Sequence, residues 1–374
     1  MIYLDSAATT LQKPKSVYTA MEKAIMTMTS PGRGGHKAAW LAAETAFACR
    51  EKAAKMFGME NPEHVVFTFN ATHGLNIAIK SLVHPGDAVL ISGYEHNAVV
   101  RPLHAIKGVS VRVAAGPLFY PDLLLNEIKR LMTPEIKVVI CTHVSNVFGY
   151  VLPIPEIAQL CKERNKSLII DASQSAGCLP IEMDRWGADF ISMPGHKGLY
   201  GPQGTGLLLC AGDQVQPLLQ GGTGGASALL NMPEYLPDRL EAGTHNVPGI
   251  AGLLEGIRYL EKRGIDHITE GERKLALTLA RYLSELPGVE VFYAPKLKNQ
   301  VGLISFRTEQ MDCEKLAEAL GEAGIAVRAG LHCAPLAHRT AETFNSGTVR
   351  VGFSDFNHPG ELHCFVRELK KILK

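Results

Sequence analysis

Phe190-Ile191-Ser192-Met193-Pro194-Gly195-His196-Lys197-Gly198-Leu199-Tyr200-Gly201-Pro202-Gln203-Gly204 is the stretch on which the fold turns. Its apolar start reads as a strand that stops at Pro194-Gly195 and hands His196 and Lys197 to a loop. A lysine placed there stands at a strand end and not on a solvated helix face. Burial and cationic neighbours lower a lysine pKa, and an uncharged amine is what a Schiff base requires. The ordinary alternative is a surface lysine in a Gly/Pro loop, so the residues elsewhere decide between the two.

Upstream, Ser167-Leu168-Ile169-Ile170 runs into Asp171-Ala172-Ser173-Gln174. An acid at the C-terminal end of a short apolar strand is where open parallel sheets place ligand contacts. Pyridoxal phosphate chemistry needs such a carboxylate against the pyridinium nitrogen, so that the ring stays protonated and withdraws electrons. Helix N-capping by Asp171 is the plainer reading of that residue alone. A strand-end Asp followed by a glycine-flanked His-Lys is a rarer combination than either motif.

Working outward, further apolar runs read as strands: Val65–Phe69, Ala88–Ile91, Val109–Val113, Val138–Cys141 and Gly206–Cys210. With helical stretches between them, these predict a mostly parallel seven-stranded sheet covered on both faces. Pro248 opens a helix whose Ile250, Leu253, Leu254, Ile257 and Leu260 share a face, and a second helix follows the break at Gly264 to about Leu286. Beyond it, strands at Val289–Tyr293, Val301–Phe306, Ile325–Arg328 and Thr348–Phe353, with helices from about Asp312 and Pro359, predict a smaller α/β domain. The expected division is a large domain over 16–250 and a small one over 251–374.

Several strand ends carry further polar residues. Asn70-Ala71-Thr72-His73 opens a helix, and its small residues let backbone N–H groups face an anion; helix capping competes equally. His96, just after Ala88–Ile91, is placed to stack on a ring and move protons near neutral pH, or is simply a surface histidine. Asn146 follows another strand and reaches the same crevice. Arg350 lies inside an apolar strand, an unusual place for arginine, where it serves either as a bidentate carboxylate clamp or as half of an ion pair. Thr223 lies in the small-residue loop Gly221–Gly225.

With 374 residues, 46% hydrophobic and 20% charged, the chain has ample material for such a core. A net charge of +1 gives no argument for nucleic acid or an anionic membrane, and no apolar run approaches the roughly 20 residues of a membrane span. The product reads as cytosolic. No dinucleotide or P-loop glycine pattern is present, and none of the eight cysteines forms a C-x-x-C pair, which argues against structural zinc. Cys141 and Cys210 in strands, and Cys161 and Cys364 in helices, read as core residues. Cys333, in Arg328-Ala329-Gly330-Leu331-His332-Cys333-Ala334-Pro335, has a cation and an imidazole nearby in sequence, neighbours that favour thiolate.

Together these stretches resemble the class V aminotransferase family of fold type I pyridoxal phosphate enzymes, and within it the cysteine desulfurase and selenocysteine lyase branch. The likeness runs from Tyr3-Leu4-Asp5-Ser6-Ala7-Ala8-Thr9-Thr10 to Arg350. It implies that Lys197 holds pyridoxal phosphate, that Asp171 pairs with the pyridine nitrogen, that His96 stacks on the ring, and that Gln174 contacts its phenolic oxygen. Thr72, the backbone at His73, and His196 would hold the phosphate. The family is dimeric, so the resemblance implies a homodimer in which Thr223 reaches the phosphate held by the other subunit. Asn146, Arg328 and Arg350 would orient the amino acid, L-cysteine in this branch, and Cys333 would accept its sulfur before a thiol or a sulfur-acceptor protein takes it away. The segment 1–15 would pack near the active site. Two departures stand out: Pro194 replaces the usual serine before the His-Lys pair, and Asn70-Ala71-Thr72-His73 replaces a G-T-T-E stretch. Both touch the phosphate end, so weaker cofactor binding is expected without loss of chemistry. Selenocysteine lyase, C–S lyase and aminotransferase are the alternative activities on the same scaffold.

Overall fold

The computed structural model describes residues 1–32 and 34–374, Leu297 by its backbone alone. The chain begins with β1 (Ile2–Tyr3), α1 (Lys15–Thr27) and α2 (Lys37–Met56). An alternating stretch follows: β2 (Val65–Thr68), α3 (Ala71–Leu82), β3 (Ala88–Ser92), α4 (Asn97–Ala105), β4 (Ser110–Ala114), α5 (Pro121–Leu131), β5 (Ile136–Thr142), α6 (Ile154–Glu163) and β6 (Ser167–Asp171). Then come the short α7 (Met183–Trp186), β7 (Phe190–Pro194), β8 (Gly206–Cys210), α8 (Val247–Arg263) and α9 (Ile265–Ser284). The last part holds β9 (Val289–Phe292), β10 (Leu303–Thr308), α10 (Cys313–Glu322), β11 (Ile325–Ala326), β12 (Arg328–Gly330), α11 (Pro335–Thr340), β13 (Thr348–Gly352) and α12 (Pro359–Ile372).

Seven strands form the main sheet in the order β2-β8-β7-β6-β5-β3-β4. Every pairing from β7 to β4 is parallel, and only β8 runs the other way, against β7 and β2. The strands are buried on both faces, which is why their sequences are continuous apolar runs and not alternating ones. Leu207, Leu208 and Leu209 of β8 are all fully buried, each stabilising the fold by roughly 1.5–3 kcal/mol relative to an exposed position. One core, including Val139, Ile170 and Leu209, lies on one face of this sheet, and a second, including Leu75, Ile140 and Leu208, lies on the other. A third core, built around Leu279, Phe306, Val351 and Phe365, belongs to the small domain.

The small domain has its own four-stranded antiparallel sheet, β12-β13-β10-β9. Its terminal helix α12 starts with a capping box, the His358 backbone N–H donating to Glu361 at 2.9 Å, with Pro359 at the first helical position. The helices after residue 250 divide between the two cores. Ile250, Leu253, Leu254, Ile257 and Leu260 of α8 are buried in the large-domain core, whereas Leu275, Ala276 and Leu279 of α9 enter the small-domain core. Gly264, with φ of +85°, separates the two helices. Ile268 of α9 still belongs to the large-domain core, so the change of core falls within α9, between Ile268 and Leu275.

The first residues strap the two domains together. β1 pairs in parallel with β11, and Leu4 exchanges backbone hydrogen bonds with Ala326 and Gly352. Farther along, the Thr10 N–H donates to the His196 carbonyl. The expected single strand Ile325–Arg328 is two: Ile325–Ala326 pairs with β1, and Arg328–Gly330 pairs with β13. The chain changes partner at Val327.

Candidate active site

The parallel strands end on one edge, and most of the residues singled out in the sequence come together there. β6 ends in Asp171, β7 runs into His196 and Lys197, β5 leads to Asn146, β3 leads to His96, and β2 turns into the first residues of α3. Thr72, His96, Asn146, Asp171, His196 and Lys197 all line a single cavity, and Gln174 closes one side of it. A larger cleft of about 840 Å³, lined by Tyr120, Trp186 and Lys296, contains none of these groups. Chemistry and not size marks the site.

Close backbone approaches hold Lys197 in place. A Cβ on Gly198 would lie 2.4 Å from the Ala176 carbonyl oxygen, and one on Gly177 would lie 2.2 Å from the Gly198 oxygen. The glycine beside the lysine is thus required by the packing of the turn after Asp171 against the loop after β7. Lys13 reaches across from the strap and donates its ammonium to the His196 carbonyl at 3.0 Å. The Lys197 amine has no hydrogen-bond partner among the described residues. Burial, and then the Arg350 guanidinium, lower its pKa to about 8, so a large fraction is uncharged in mildly alkaline solution.

Asp171 is almost fully buried. Its Oδ1 accepts from the Ser173 backbone N–H at 2.9 Å and from the Ser173 hydroxyl, whereas Oδ2 takes no hydrogen bond from the described residues. His96 caps α4, Nδ1 accepting from the Ala98 N–H at 3.0 Å, which leaves the proton of the neutral ring on Nε2. Burial lowers its pKa. His196 is pushed down to about 4 by burial and then by Lys197 and Lys13, and its Nδ1 is buried with no partner.

The anion end is set by α3. A Cβ on Gly74 would lie 2.4 Å from the Ser192 Oγ, so glycine lets this helix lie directly on β7. Ser192 also donates to the Ala71 carbonyl at 3.0 Å. The His73 backbone N–H, expected to face a phosphate, donates instead to the Asn70 side chain at 2.9 Å. The His73 ring stacks on Phe69 with 4.6 Å between centroids. Thr72 is exposed at this end, as are Phe69 and Asn70 before it. Gln174 donates to the Ala7 carbonyl at 2.8 Å, tying the cavity wall to the strap. Thr223 lies outside the cavity, its hydroxyl turned to the backbone of Gly225.

The small domain supplies the opposite rim. Arg350 is 3% exposed. It donates to the Asn146 carbonyl at 2.9 Å and to Asp5 at 3.1 Å, and its Nε is buried without a partner. Arg328 grips the same Asp5 carboxylate at 2.9 and 3.0 Å. Cys333 is the exposed cysteine of the chain's eight. Its carbonyl accepts the Asn97 N–H at 2.8 Å, and the preceding His332 carbonyl accepts from the Asn146 amide at 2.8 Å. Both residues have positive φ, +48° at His332 and +56° at Cys333, a conformation that non-glycine residues adopt at a cost. The His332 ring does not serve the thiol as its sequence position suggested. It points inward, with Nε2 against the Thr348 carbonyl at 3.1 Å.

Asp5, Lys13, Glu95 and Ser173 were not singled out in the sequence. Asp5 sits in the stretch that carried the family likeness, and Glu95 sits beside His96. Nothing local marked either as an electrostatic partner. Among the described residues no cluster of metal-binding side chains occurs, and no helix is long and apolar enough to cross a membrane.

The sequence and the fold are similar to those of known proteins. The aminotransferase class-V family model matches residues 2–365. A probable cysteine desulfurase of Methanothermobacter thermautotrophicus is 33% identical over 99% of this chain and 94% of its own length. One from Pyrococcus abyssi is 32% identical over 100% of this chain and 94% of its own. Among solved structures, the apo cysteine desulfurase of Thermococcus onnurineus superposes with a TM-score of 0.91 at 29% identity, covering 100% of this chain and 94% of that one. The chain belongs to the aminotransferase class-V family, in its cysteine desulfurase branch.

Proposed function

We propose that this protein is a pyridoxal-phosphate-dependent cysteine desulfurase that converts L-cysteine to L-alanine and leaves a persulfide on Cys333. The observation that carries the reading is the pinning of the Cys333 loop by Asn97 and Asn146 at the edge of the cavity that holds Lys197 and Asp171. A nucleophile fixed at that rim suits attack on the far end of an amino acid whose Cα lies beside Lys197.

The residues fit the cofactor. The orphaned Nδ1 of His196 and the exposed Thr72 suit a phosphate, and the free Oδ2 of Asp171 suits a protonated ring nitrogen. His96 would cover the ring, Gln174 would contact its phenolic oxygen, and Lys197 would hold its aldehyde carbon. When bound, pyridoxal phosphate supplies the electron sink for charge developing at the substrate Cα. Lys197 then acts as the base for the Cα proton, which its lowered pKa permits near neutrality. Arg350 holds the substrate carboxylate, and Asn146 and Arg328 help orient the rest of the amino acid.

Thiolate Cys333 attacks the substrate sulfur. A sulfur–sulfur bond forms as the Cβ–sulfur bond breaks, the electron pair stays with carbon, and a proton completes the methyl group of alanine. L-Cysteine and one thiol become L-alanine and one persulfide, with no external oxidant. The persulfide then passes to a thiol or a sulfur-acceptor protein. We further propose a homodimer, with Thr223 acting at the other subunit's site. Tyr18, Ile25, Met26 and Trp40 on α1 and α2, with Leu229 and Leu230 in the loop beyond Thr223, are exposed apolar side chains that support such an interface. The free cysteines agree with a reducing, cytoplasmic setting.

The test is alanine released from L-cysteine by cofactor-loaded protein with a reducing thiol, beside Cys333→Ala. Release by the native protein and none by the variant, with its cofactor absorbance retained, is the expected result. Full activity of the variant would overturn the role of Cys333. Turnover of L-selenocysteine alone would move the assignment to a selenocysteine lyase.

A further inference from the structure

Arg328 and Arg350 face each other directly across β12 and β13. Like charges in register on neighbouring strands repel, and a single carboxylate stands between these two. Asp5 Oδ2 accepts from Arg328 Nε at 3.0 Å and Nη2 at 2.9 Å, and Oδ1 accepts from Arg350 Nη2 at 3.1 Å. The backbone fixes that carboxylate. Asp5 bridges in parallel to Gly352, the Gly352 N–H donates to Leu4, and the Ser6 N–H donates back to Gly352. Two guanidinium groups and one carboxylate leave one net positive charge, which a single substrate α-carboxylate balances.

The two arginines occupy different depths. The Arg350 side chain is 3% exposed and bonded to Asn146, whereas that of Arg328 is 52% exposed. Arg350 therefore lies deeper, bonded to Asn146, which lines the cavity, and on the proposed reading it takes the α-carboxylate. Arg328 lies at the outer rim on the strand that leads into the Cys333 loop, the side toward which a substrate side chain would point.

We propose that Asp5 is a specificity-determining residue that restricts the site to amino acids with a single carboxylate. It occupies the guanidinium of Arg328, so an anionic side-chain terminus finds no free cation at the rim and meets the Asp5 charge. This inference rests on the reading of the cavity as a pyridoxal phosphate site for an α-amino acid, but not on L-cysteine being the substrate.

The test titrates cofactor-loaded protein with L-alanine and with L-aspartate, following the visible absorbance of the bound cofactor. Asp5→Asn keeps the shape and frees Arg328, and should shift the binding preference toward aspartate by about tenfold. Asp5→Glu should retain the native preference. Arg328→Gln added to Asp5→Asn should cancel the gain. Arg328→Gln alone, which leaves the Asp5 charge in place, should weaken aspartate about tenfold relative to alanine, and it decides the matter if Asp5→Asn fails to fold. An unchanged preference in these variants, or equal weakening of both amino acids, overturns the proposal and reduces Asp5 to a structural tie. No absorbance change with either amino acid in the native protein would sink the cavity reading, and this inference with it.

Discussion

The backbone N–H of Asn97 donates to the carbonyl oxygen of Cys333 at 2.8 Å, joining the nucleophile's own peptide to the first turn of α4 beside His96. Asn97 is the first residue of that helix, a position where proline is tolerated. The preceding His96, at φ −77° and ψ 158°, already has the extended backbone that a following proline requires. Asn97→Pro therefore removes one hydrogen bond and little else. Its loss, about 1–1.5 kcal/mol, should loosen the Cys333 loop and lower kcat for alanine release about tenfold. Cofactor absorbance should be unchanged. A variant with native kcat would show that the loop is held by other contacts.

Lys197 yields a pH prediction. Burial lowers its pKa to about 8, with the Arg350 charge acting in the same direction. Only the uncharged amine captures an aldehyde, so uptake of pyridoxal phosphate by cofactor-free protein should rise about tenfold per pH unit below pH 8 and level off above it. Arg350→Gln removes the like charge, and the inflection should move to higher pH. Stopped-flow absorbance measures both. An inflection near the ordinary lysine value in the native protein would refute the buried amine.

The main sheet was readable because strands buried on both faces are written as unbroken apolar runs, and because Asp171 and Lys197 fall where such runs end. The direction of β8 was not readable, since Leu207-Leu208-Leu209 looks the same in either orientation. Neither was β1, whose two residues carry no periodicity. The run beginning at Val301 becomes a strand only at Leu303: the Val301 N–H donates to the Gly149 carbonyl of a loop, and Gly302 lies tight against Glu272, where a Cβ would fall 2.3 Å from its Cβ. Asp5 was invisible as a functional residue for a related reason. Its partners Arg328 and Arg350 are 323 and 345 positions away, and only the strap brings them together. His332 shows the converse: adjacency to Cys333 in sequence places its ring on the opposite side, against Thr348.

Gly74 tests how tightly the anion end is built. An added methyl group would lie 2.4 Å from the Ser192 Oγ and 3.3 Å from its Cβ. Ser192 is fully buried and bonded to Ala71, so it cannot simply swing aside. Gly74→Ala should cost about 1–3 kcal/mol of stability, through overpacking, and should lift the first turn of α3 from β7. The denaturation midpoint should fall, and pyridoxal phosphate should bind more weakly because Thr72 sits on that turn. Native stability and native affinity together would mean that the helix yields freely.

Glu95 gives the last prediction. It is fully buried, and its Oε1 accepts from the Thr142 N–H at 2.7 Å and from the Ser92 hydroxyl, bridging the ends of β3 and β5. Its Oε2 is buried without a partner. Burial raises its pKa to about 8, and the nearby Asp171 charge adds to the effect while the Ser92 and Thr142 hydrogen bonds oppose it. A carboxyl whose folded pKa is raised binds a proton that the unfolded chain has already released. Its stabilising contribution is complete below the unfolded value of about 4.3 and is lost as pH rises toward 8. Glu95→Gln keeps the acceptor and never ionises. The variant should therefore gain on the native protein by up to about 1.4 kcal/mol per pH unit across that window. Thermal denaturation of the two proteins from pH 5 to pH 8 measures it. A difference in Tm that stays constant with pH would mean that Glu95 is ionised in the folded protein and that its charge is held by contacts other than these hydrogen bonds.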